Sequence, residues 1–401
     1  MSTGPRTPEP DAAHPAVRMK GRASGQGRVY QAGGDMRLFT LAVPPSIRTP
    51  VLVALVLALL VGGGWVLVKW VRPLFAPAYK TQFLIDSSLA SGGPAAVADS
   101  LRTAVGNAAD DDALALRSFG GECGVSENTR QLVGFGTGNR EEISQAAGEV
   151  RWGGRPTLVR GVVEAVDDFS KRLAWGAGQH GTRVNRIIVV TRHGTDACEQ
   201  DPAVVQREIH DRLESAGLKV DFKVIGYQVP EAERERLRQI SAGIRGDAPV
   251  FAADPARLTA ALEWFTNTQP VLQEARKVTD VLNAAVGQVE AARAAIEDGR
   301  LDFADDQLDR AGAADIGAAL EALKHRATTP QARDIHRKAR RLYSQQRRVV
   351  QSGRDLLEAS RDGRSRDGEF AAYRAAVVTY NQQADALKRA LDALRATAPG
   401  G

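Results

Sequence analysis

From residue 79 onwards, short apolar runs alternate with amphipathic segments, and few folds satisfy this pattern. It is typical of βα units, in which an amphipathic helix returns the chain so that the next strand can lie parallel to the last. We predict five helices, at 95–108, 141–150, 158–169, 202–216 and 231–244. We predict six strands, at 81–85, 113–119, 131–135, 185–191, 220–227 and 249–252.

The second and third predicted strands are joined by a short, turn-rich loop, which is too short for a crossover helix. This pair is therefore expected to be antiparallel, as is common at the edge of a mixed sheet. The predicted fold of residues 79–254 is α/β: a doubly wound, Rossmann-like, mostly parallel sheet of six strands.

Beyond Asp254 the strands stop and alanine-rich helical patterns continue, which predicts an α-helical domain at 255–397, with Pro270 breaking its first helix. In the last helix, apolar residues recur every three or four positions and form a narrow heptad seam. The middle stretch around Ile335 and Leu342 can cover this seam within the chain. A homo-oligomeric coiled coil is the less favoured alternative. The seam residues are Phe370, Tyr373, Val377, Tyr380, Ala384, Leu387, Leu391 and Leu394.

Residues Val51 to Val68 form an uncharged run that is long enough to cross a bilayer. We predict a single transmembrane helix at 49–72, preceded by a disordered cytoplasmic segment at 1–48. Basic residues are more numerous before the run than just after it, so the C-terminal domains are predicted to lie outside the cytoplasm. A cleaved signal peptide is the rival interpretation, because Ala76-Pro77-Ala78 resembles a cleavage site.

The charge pattern and the cysteine count argue against three classes of protein. The chain has a formal net charge of +5, but basic and acidic residues are interleaved, so no nucleic-acid partner is predicted. Two cysteines are too few for a disulfide scaffold and lack zinc-site spacing, although they can form one bond.

Polar residues follow the predicted strands, at the end of a parallel sheet where ligands collect. The first strand runs into Asp86-Ser87-Ser88, Gly153-Gly154-Arg155-Pro156-Thr157 begins a helix, and the strand Arg186 to Thr191 ends in polar residues. Together with Cys198, these motifs resemble the bacterial membrane-anchored branch of the von Willebrand factor type A family, over residues 79–252.

The resemblance implies a metal-ion-dependent adhesion site in which Asp86, Ser88 and Thr157 would hold Mg²⁺ and capture an acidic group of a protein partner. This chain departs from the family pattern in two places. Ala90 replaces a hydroxyl, and Thr191-Arg192-His193-Gly194 stands where the family has Thr-Asp-Gly. A degenerate, weak Mg²⁺ site is therefore one expectation. In the alternatives, Asp86 and Ser88 only cap the strand end, or Arg192 itself binds the carboxylate.

The loop after the fourth strand carries the predicted partner-binding residues Arg192, His193 and Asp196. In the family's strand order, the strands that precede Cys123 and Cys198 flank the first strand. The resemblance together with an oxidising location therefore implies a Cys123–Cys198 disulfide. Two free thiols are the alternative.

A catalytic function is not predicted, because the sequence shows neither a complete metal set nor a nucleophile with its base. Gly134-Phe135-Gly136 matches only part of a nucleotide-binding fingerprint and is interpreted as a turn. The leading hypothesis is a membrane-anchored protein that mediates protein–protein interaction or assembly through the strand ends. A structural or signalling anchor that acts through its helical tail is the second hypothesis, and an envelope enzyme is the third.

Overall fold

A computed structural model of the chain describes residues 79–88, 93–170, 184–199, 201–244 and 246–399. The predicted disordered segment and the predicted transmembrane helix lie outside these residues, as does Ala90. In the part of the chain that is described, no helix is both long enough and apolar enough to cross a bilayer.

The six predicted strands are all present and form one sheet. They are β1 (Tyr79–Asp86), β2 (Ala113–Phe119), β3 (Thr129–Gly136), β4 (Val184–Thr191), β5 (Val220–Tyr227) and β6 (Val250–Ala252). Their order in the sheet is β3-β2-β1-β4-β5-β6. The central strand β1 is parallel to both of its neighbours, β2 and β4, and β2 and β3 form the predicted antiparallel pair. The predicted α/β fold is thereby confirmed, with its mostly parallel sheet and its antiparallel pair of strands at one edge.

Helices cover both faces of this sheet, because alternate strand residues are apolar on each side. The helices are α1 (Pro94–Gly106), α2 (Arg140–Gly148), α3 (Leu158–Ser170), α4 (Pro202–Ala216), α5 (Glu231–Gly243) and α6 (Pro255–Glu263). One face of the sheet packs Phe83 and Leu116 against α1, α2 and α6, and the other packs Leu84 and Val189 against α3, α4 and α5.

The rest of the described chain is a helical region with its own apolar core. Tyr373, Tyr380 and Leu387 of the last helix share that core with Ile335 and Leu342, so the heptad seam is covered within the chain, as the favoured interpretation predicts. The helices are α7 (Gln269–Glu297), α8 (Leu301–Gly312), α9 (Gly317–His325), α10 (Pro330–Arg361) and α11 (Asp367–Arg395).

A π-helical turn at Trp264–Thr268 joins α6 directly to α7, so the helix continues through Pro270 instead of breaking there. In a π turn, the carbonyl of Phe265 would pair with the N–H of residue 270, which proline lacks. That carbonyl instead accepts a hydrogen bond from the buried Arg186 guanidinium. Because α6 packs into the sheet core, residues 255–268 belong with the sheet, although the sequence pattern assigns them to the helical domain.

A buried ionic network connects the helical region to the lower edge of the sheet, where the parallel strands begin. Arg326, which follows α9, donates to both carboxylate oxygens of Asp112, at 2.6 and 2.7 Å, and to Asp111 at 2.6 Å. Its guanidinium also lies 4.7 Å from the ring centre of Tyr79. The helical region therefore contacts the edge opposite to the one that carries the predicted site.

Candidate functional site

The candidate site lies at the carboxyl-terminal ends of the parallel strands, which form the upper edge of the sheet. It is built around Asp86. The Asp86 side chain is fully buried. Its Oδ1 accepts from both the amide and the hydroxyl of Ser88. Its Oδ2 accepts from the Thr191 hydroxyl at 2.9 Å and from the Arg192 amide at 3.4 Å. Asp86 thus ties the loop after β1 to the loop after β4.

Thr157 is buried beside a different loop. Its hydroxyl donates to the backbone carbonyl of Asn128 at 2.9 Å, so it joins the start of α3 to the turn before β3. The structure therefore brings Asp86 and Ser88 together, as the motif predicts, but uses the Thr157 hydroxyl elsewhere. Nothing in the local sequence around Asn128 signals this long-range bond.

The donors that surround Asp86 bear on the predicted Mg²⁺ site. Hard divalent cations need several oxygen ligands with available lone pairs. Here the carboxylate already accepts four hydrogen bonds, and the cation Arg192 follows Thr191 directly. In the part of the chain that the structure describes, no group of three or more His, Cys, Asp and Glu side chains is placed to hold a metal. The surroundings of Asp86 therefore suit a hydrogen-bonded carboxylate better than a ligand of a divalent cation. Mg²⁺ binding stays an untested prediction.

The loop after β4 carries the predicted partner-binding residues and is held from several sides. Arg192 and His193 are half-buried, and His193 Nδ1 lies 3.9 Å from a carboxylate oxygen of Glu233. The amide of Gly194 donates to the same Glu233 oxygen at 2.8 Å. A Cβ atom at position 194 would lie 2.0 Å from the Glu233 carbonyl oxygen, so only glycine allows this approach.

Asp196 has a structural role, which differs from its predicted role as a partner contact. It is only 3% exposed. One oxygen accepts from the Val159 amide at 2.8 Å, and the other accepts from the amides of Cys198 and Glu199. An aspartate with both oxygens bonded to backbone amides organises the loop and caps the start of α3. The buried Asp196 is therefore unsuited to direct contact with a partner.

The predicted disulfide between Cys123 and Cys198 is present, with a Cα–Cα distance of 5.4 Å. It joins the loop after β2 to the loop after β4, on either side of the end of β1. Together with Asp86, the disulfide holds Arg192 and His193 at the upper edge.

Comparison with known proteins finds similarity to solved structures only. No family model matches the chain, and no curated protein matches it. The solved structures that match include von Willebrand factor type A domains. The one from Catenulispora acidiphila has 17% identity and a TM-score of 0.35, and the match covers 48% of this chain and 42% of that chain.

Two further matches are pilus proteins. The pilus adhesin of Lactobacillus rhamnosus GG has 12% identity and a TM-score of 0.38, over 48% of this chain and 30% of that one. The von Willebrand factor domain of a type V pilus tip protein from Porphyromonas gingivalis has 11% identity and a TM-score of 0.34, over 48% of this chain and 94% of that one. Because the TM-scores are low, the matches do not indicate what this chain binds.

Proposed function

We propose that this chain is a membrane-anchored, extracytoplasmic protein that binds a protein partner at the upper edge of its sheet. One observation carries the proposal: Arg192 and His193 stand half-buried at that edge, on a loop fixed by Asp86 and by the Cys123–Cys198 disulfide. A loop held in one conformation loses little entropy on binding, which favours affinity. The lower edge is covered by the helical region, so the upper edge is the end of the sheet that is suited to a partner.

The proposed ligand group on the partner is a carboxylate. Guanidinium groups bind carboxylates with two parallel hydrogen bonds, and such pairs are stronger than neutral ones. The Asp86 oxygens accept hydrogen bonds from Ser88, Thr191 and the Arg192 amide. The Arg192 side chain, rather than a metal ion, thus supplies the positive charge in this proposal.

The disulfide and the apolar run at 51–68 support the proposed location. Disulfides persist in oxidising compartments and are rare in the cytosol. An 18-residue uncharged run is long enough for a membrane span, and the excess of basic residues before it favours an N-terminus in the cytoplasm.

Site-specific photo-crosslinking in membranes tests the binding proposal. A crosslinking residue at position 193 should capture the partner, and Arg192→Ala should reduce the yield of that product. Arg238→Ala is the matched control, since Arg238 is an exposed arginine on α5 whose side chain pairs with the nearby Glu235 and lies over the Phe251 ring, away from the loop after β4. Equal yields from the Arg192→Ala variant and the wild type would refute the role of Arg192.

Thiol labelling of intact cells tests the location separately. An impermeant maleimide should label Cys123 and Cys198 only after an impermeant reductant has been added. Labelling that instead needs permeabilised cells would place the domain inside the cytoplasm and contradict the proposed topology.

Truncation of the chain distinguishes the proposed function from the alternative, a structural anchor that acts through the helical tail. The cut belongs after residue 268, because α6 and the π turn complete the sheet's core. Asp112→Asn should accompany it, since the truncation removes Arg326. Retention of the crosslinked product would favour binding by the sheet over the anchor hypothesis.

A further inference from the structure

One exposed face of α10 carries a concentration of positive charge that the function proposed above does not use. Between residues 333 and 348 the chain has six arginines and one lysine but a single acidic residue, Asp334. Within this stretch, Ile335, Leu342 and Val349 enter the helical core. Because an α-helix has 3.6 residues per turn, four of the arginines lie on the opposite side, and all four are exposed. We call these four arginines the basic face: Arg340, Arg341, Arg347 and Arg348.

The arginines of the basic face make no ion pair with an acid among the described residues. Asp334 is already paired with Arg337, at 3.1 Å, and with Lys338. By contrast, Arg354 further along the same helix pairs with Asp309 at 2.9 Å. Like charges close together on one helix face are destabilising unless an opposite charge lies nearby. The basic face is therefore suited to an anionic partner outside the chain.

The basic face lies close to the point where the chain enters the sheet. Thr328, just before α10, donates to the carbonyl of Asn107 at 2.7 Å, at the lower edge of the sheet. Arg326 lies 4.7 Å from the ring centre of Tyr79, the first residue of β1. Residue 340 follows the first residue of α10 by ten positions, which corresponds to roughly 15 Å along the helix. The basic face thus begins near the amino end of β1.

The same point of entry limits the distance to the proposed membrane anchor. Residue 79 follows residue 72, where the predicted transmembrane helix ends, by seven positions. A chain of this length spans at most about 25 Å. The anchor therefore keeps the amino end of β1, and with it the start of α10, near the bilayer surface. The upper edge is at the opposite end of the sheet, so the bilayer and the protein partner proposed above would not compete.

We propose that the basic face docks on anionic phospholipid headgroups of the bilayer in which the chain is anchored. This proposal rests on the membrane anchor of the proposed function and adds a second, reversible contact with the same bilayer. Guanidinium groups bind phosphate through two parallel hydrogen bonds, and each basic residue near an anionic lipid surface strengthens binding roughly five-fold. Because the anchor already holds the domain at the bilayer, docking is intramolecular and a modest affinity suffices.

Contact-range fluorescence quenching tests the docking in the full-length protein. Both native cysteines are in the disulfide, so Ser344→Cys, an exposed position at the centre of the basic face, gives a single thiol for a fluorophore. The protein is placed, one copy per disc, in nanodiscs of phosphatidylcholine alone or of phosphatidylcholine and phosphatidylglycerol in equal parts. Both kinds of disc contain the same amount of a lipid with a nitroxide quencher on its headgroup.

Quenching should be several-fold stronger in the discs that contain phosphatidylglycerol. At 1 M salt, where the Debye length is about 3 Å, this difference should disappear. Equal quenching in the two lipids at low salt is the result expected if the basic face binds an acidic protein instead, and it would overturn the proposal.

Two variants with the same change in net charge locate the contact. Replacing the four arginines of the basic face by glutamine should reduce quenching in the anionic discs to the level seen in phosphatidylcholine. Replacing four exposed arginines of α4 and α5 by glutamine is the matched control and should leave quenching at the wild-type level. All eight side chains are exposed, so both variants should fold, which circular dichroism checks. Equal quenching in the two variants would show that net charge, rather than the basic face, attracts the domain, and would refute the assignment. The control positions are Arg207, Arg212, Arg236 and Arg238.

The outcomes separate this proposal from the function on which it rests. If the full-length chain does not copurify with nanodiscs, the membrane anchor is refuted, and this proposal with it. If the chain copurifies but its quenching does not depend on the lipid, the docking alone is refuted. Lipid-dependent quenching that appears only in discs with two or more copies would assign the basic face to contact between copies and overturn the lipid assignment. Arg192→Ala should leave the quenching unchanged, since Arg192 lies at the upper edge.

Discussion

Replacement of Arg326 by methionine should uncouple the helical region from the sheet. Methionine keeps much of the side-chain length but cannot donate hydrogen bonds or neutralise Asp112. Both side chains of the Arg326–Asp112 pair are 3% exposed, so solvent cannot replace the lost partner. Asp111, the second partner, is more exposed and can be hydrated.

The expected loss of stability follows from the burial of Asp112. Removing one partner of a buried ion pair costs about 3–5 kcal/mol, because the other charge stays desolvated. Burial raises the pKa of Asp112 and Arg326 lowers it, so removing Arg326 should raise this pKa further. Since protonation of Asp112 relieves the unpaired charge, the loss should be largest at neutral pH and should shrink as the pH falls towards about 4, the ordinary aspartate value.

Denaturant unfolding with two spectroscopic probes measures this loss. Trp152 and Trp264 pack against the core of the sheet, so their fluorescence follows the α/β region once Trp65, Trp70 and Trp175 have been replaced by phenylalanine in both proteins. Circular dichroism is weighted towards the helical region. The two transitions should coincide in the wild type and separate in Arg326→Met. Asp112→Asn, added to Arg326→Met, should restore most of the lost free energy of unfolding.

Two results would refute this reasoning. One is a loss below about 1 kcal/mol, which is the range of exposed ion pairs. The other is a failure of the Asp112→Asn substitution to rescue Arg326→Met, which would show that Asp112 is not the group left unpaired.

Three further predictions concern the disulfide, the metal and the response to alkali. Replacing Cys123 and Cys198 by serine should lower the free energy of unfolding by roughly 4–5 kcal/mol on the chain-entropy model, and reduced wild type should match the variant in denaturant unfolding. Millimolar Mg²⁺ or Mn²⁺ should not raise the thermal midpoint, because the Asp86 oxygens are already hydrogen-bonded; a rise that depends on Asp86 would restore the metal site. Burial and the nearby Glu274 raise the pKa of Tyr79 to about 12, so the stability supplied by neutral Tyr79 should be lost as the pH rises from about 10 to 12. Tyr79→Phe should abolish this part of the pH dependence of the free energy of unfolding.

The sheet could be predicted from the sequence because its central strands β1, β2, β4 and β5 are largely buried on both faces. Runs such as 187–190 are apolar without interruption, and each is followed by an amphipathic helix of sufficient length. The short β2–β3 connection likewise predicted the antiparallel pair. The positions of the two cysteines after β2 and β4 predicted the disulfide once the strand order was inferred from the resemblance.

The parts that the sequence did not predict depend on contacts between distant residues. Arg326 and Asp112 are 214 positions apart, and no local period marks such a pair. Thr157 matches the position of a metal ligand, but its hydroxyl direction is set by the Asn128 carbonyl. Pro270 usually indicates a helix break; here the π turn and Arg186 compensate for its missing N–H.

The uninterrupted helix from residue 255 to residue 297 has a consequence for how this chain can be divided or recombined. Its first part supplies Leu258 and Leu262 to the core of the sheet, and its later part supplies Val278 and Leu282 to the helical core. No flexible linker separates the two cores along this stretch, so a chimera made by exchanging the tail would have to keep the helix in phase across the junction. Insertion of a single residue within α7 would rotate the following apolar face by about 100°, which would misalign the tail with its own core.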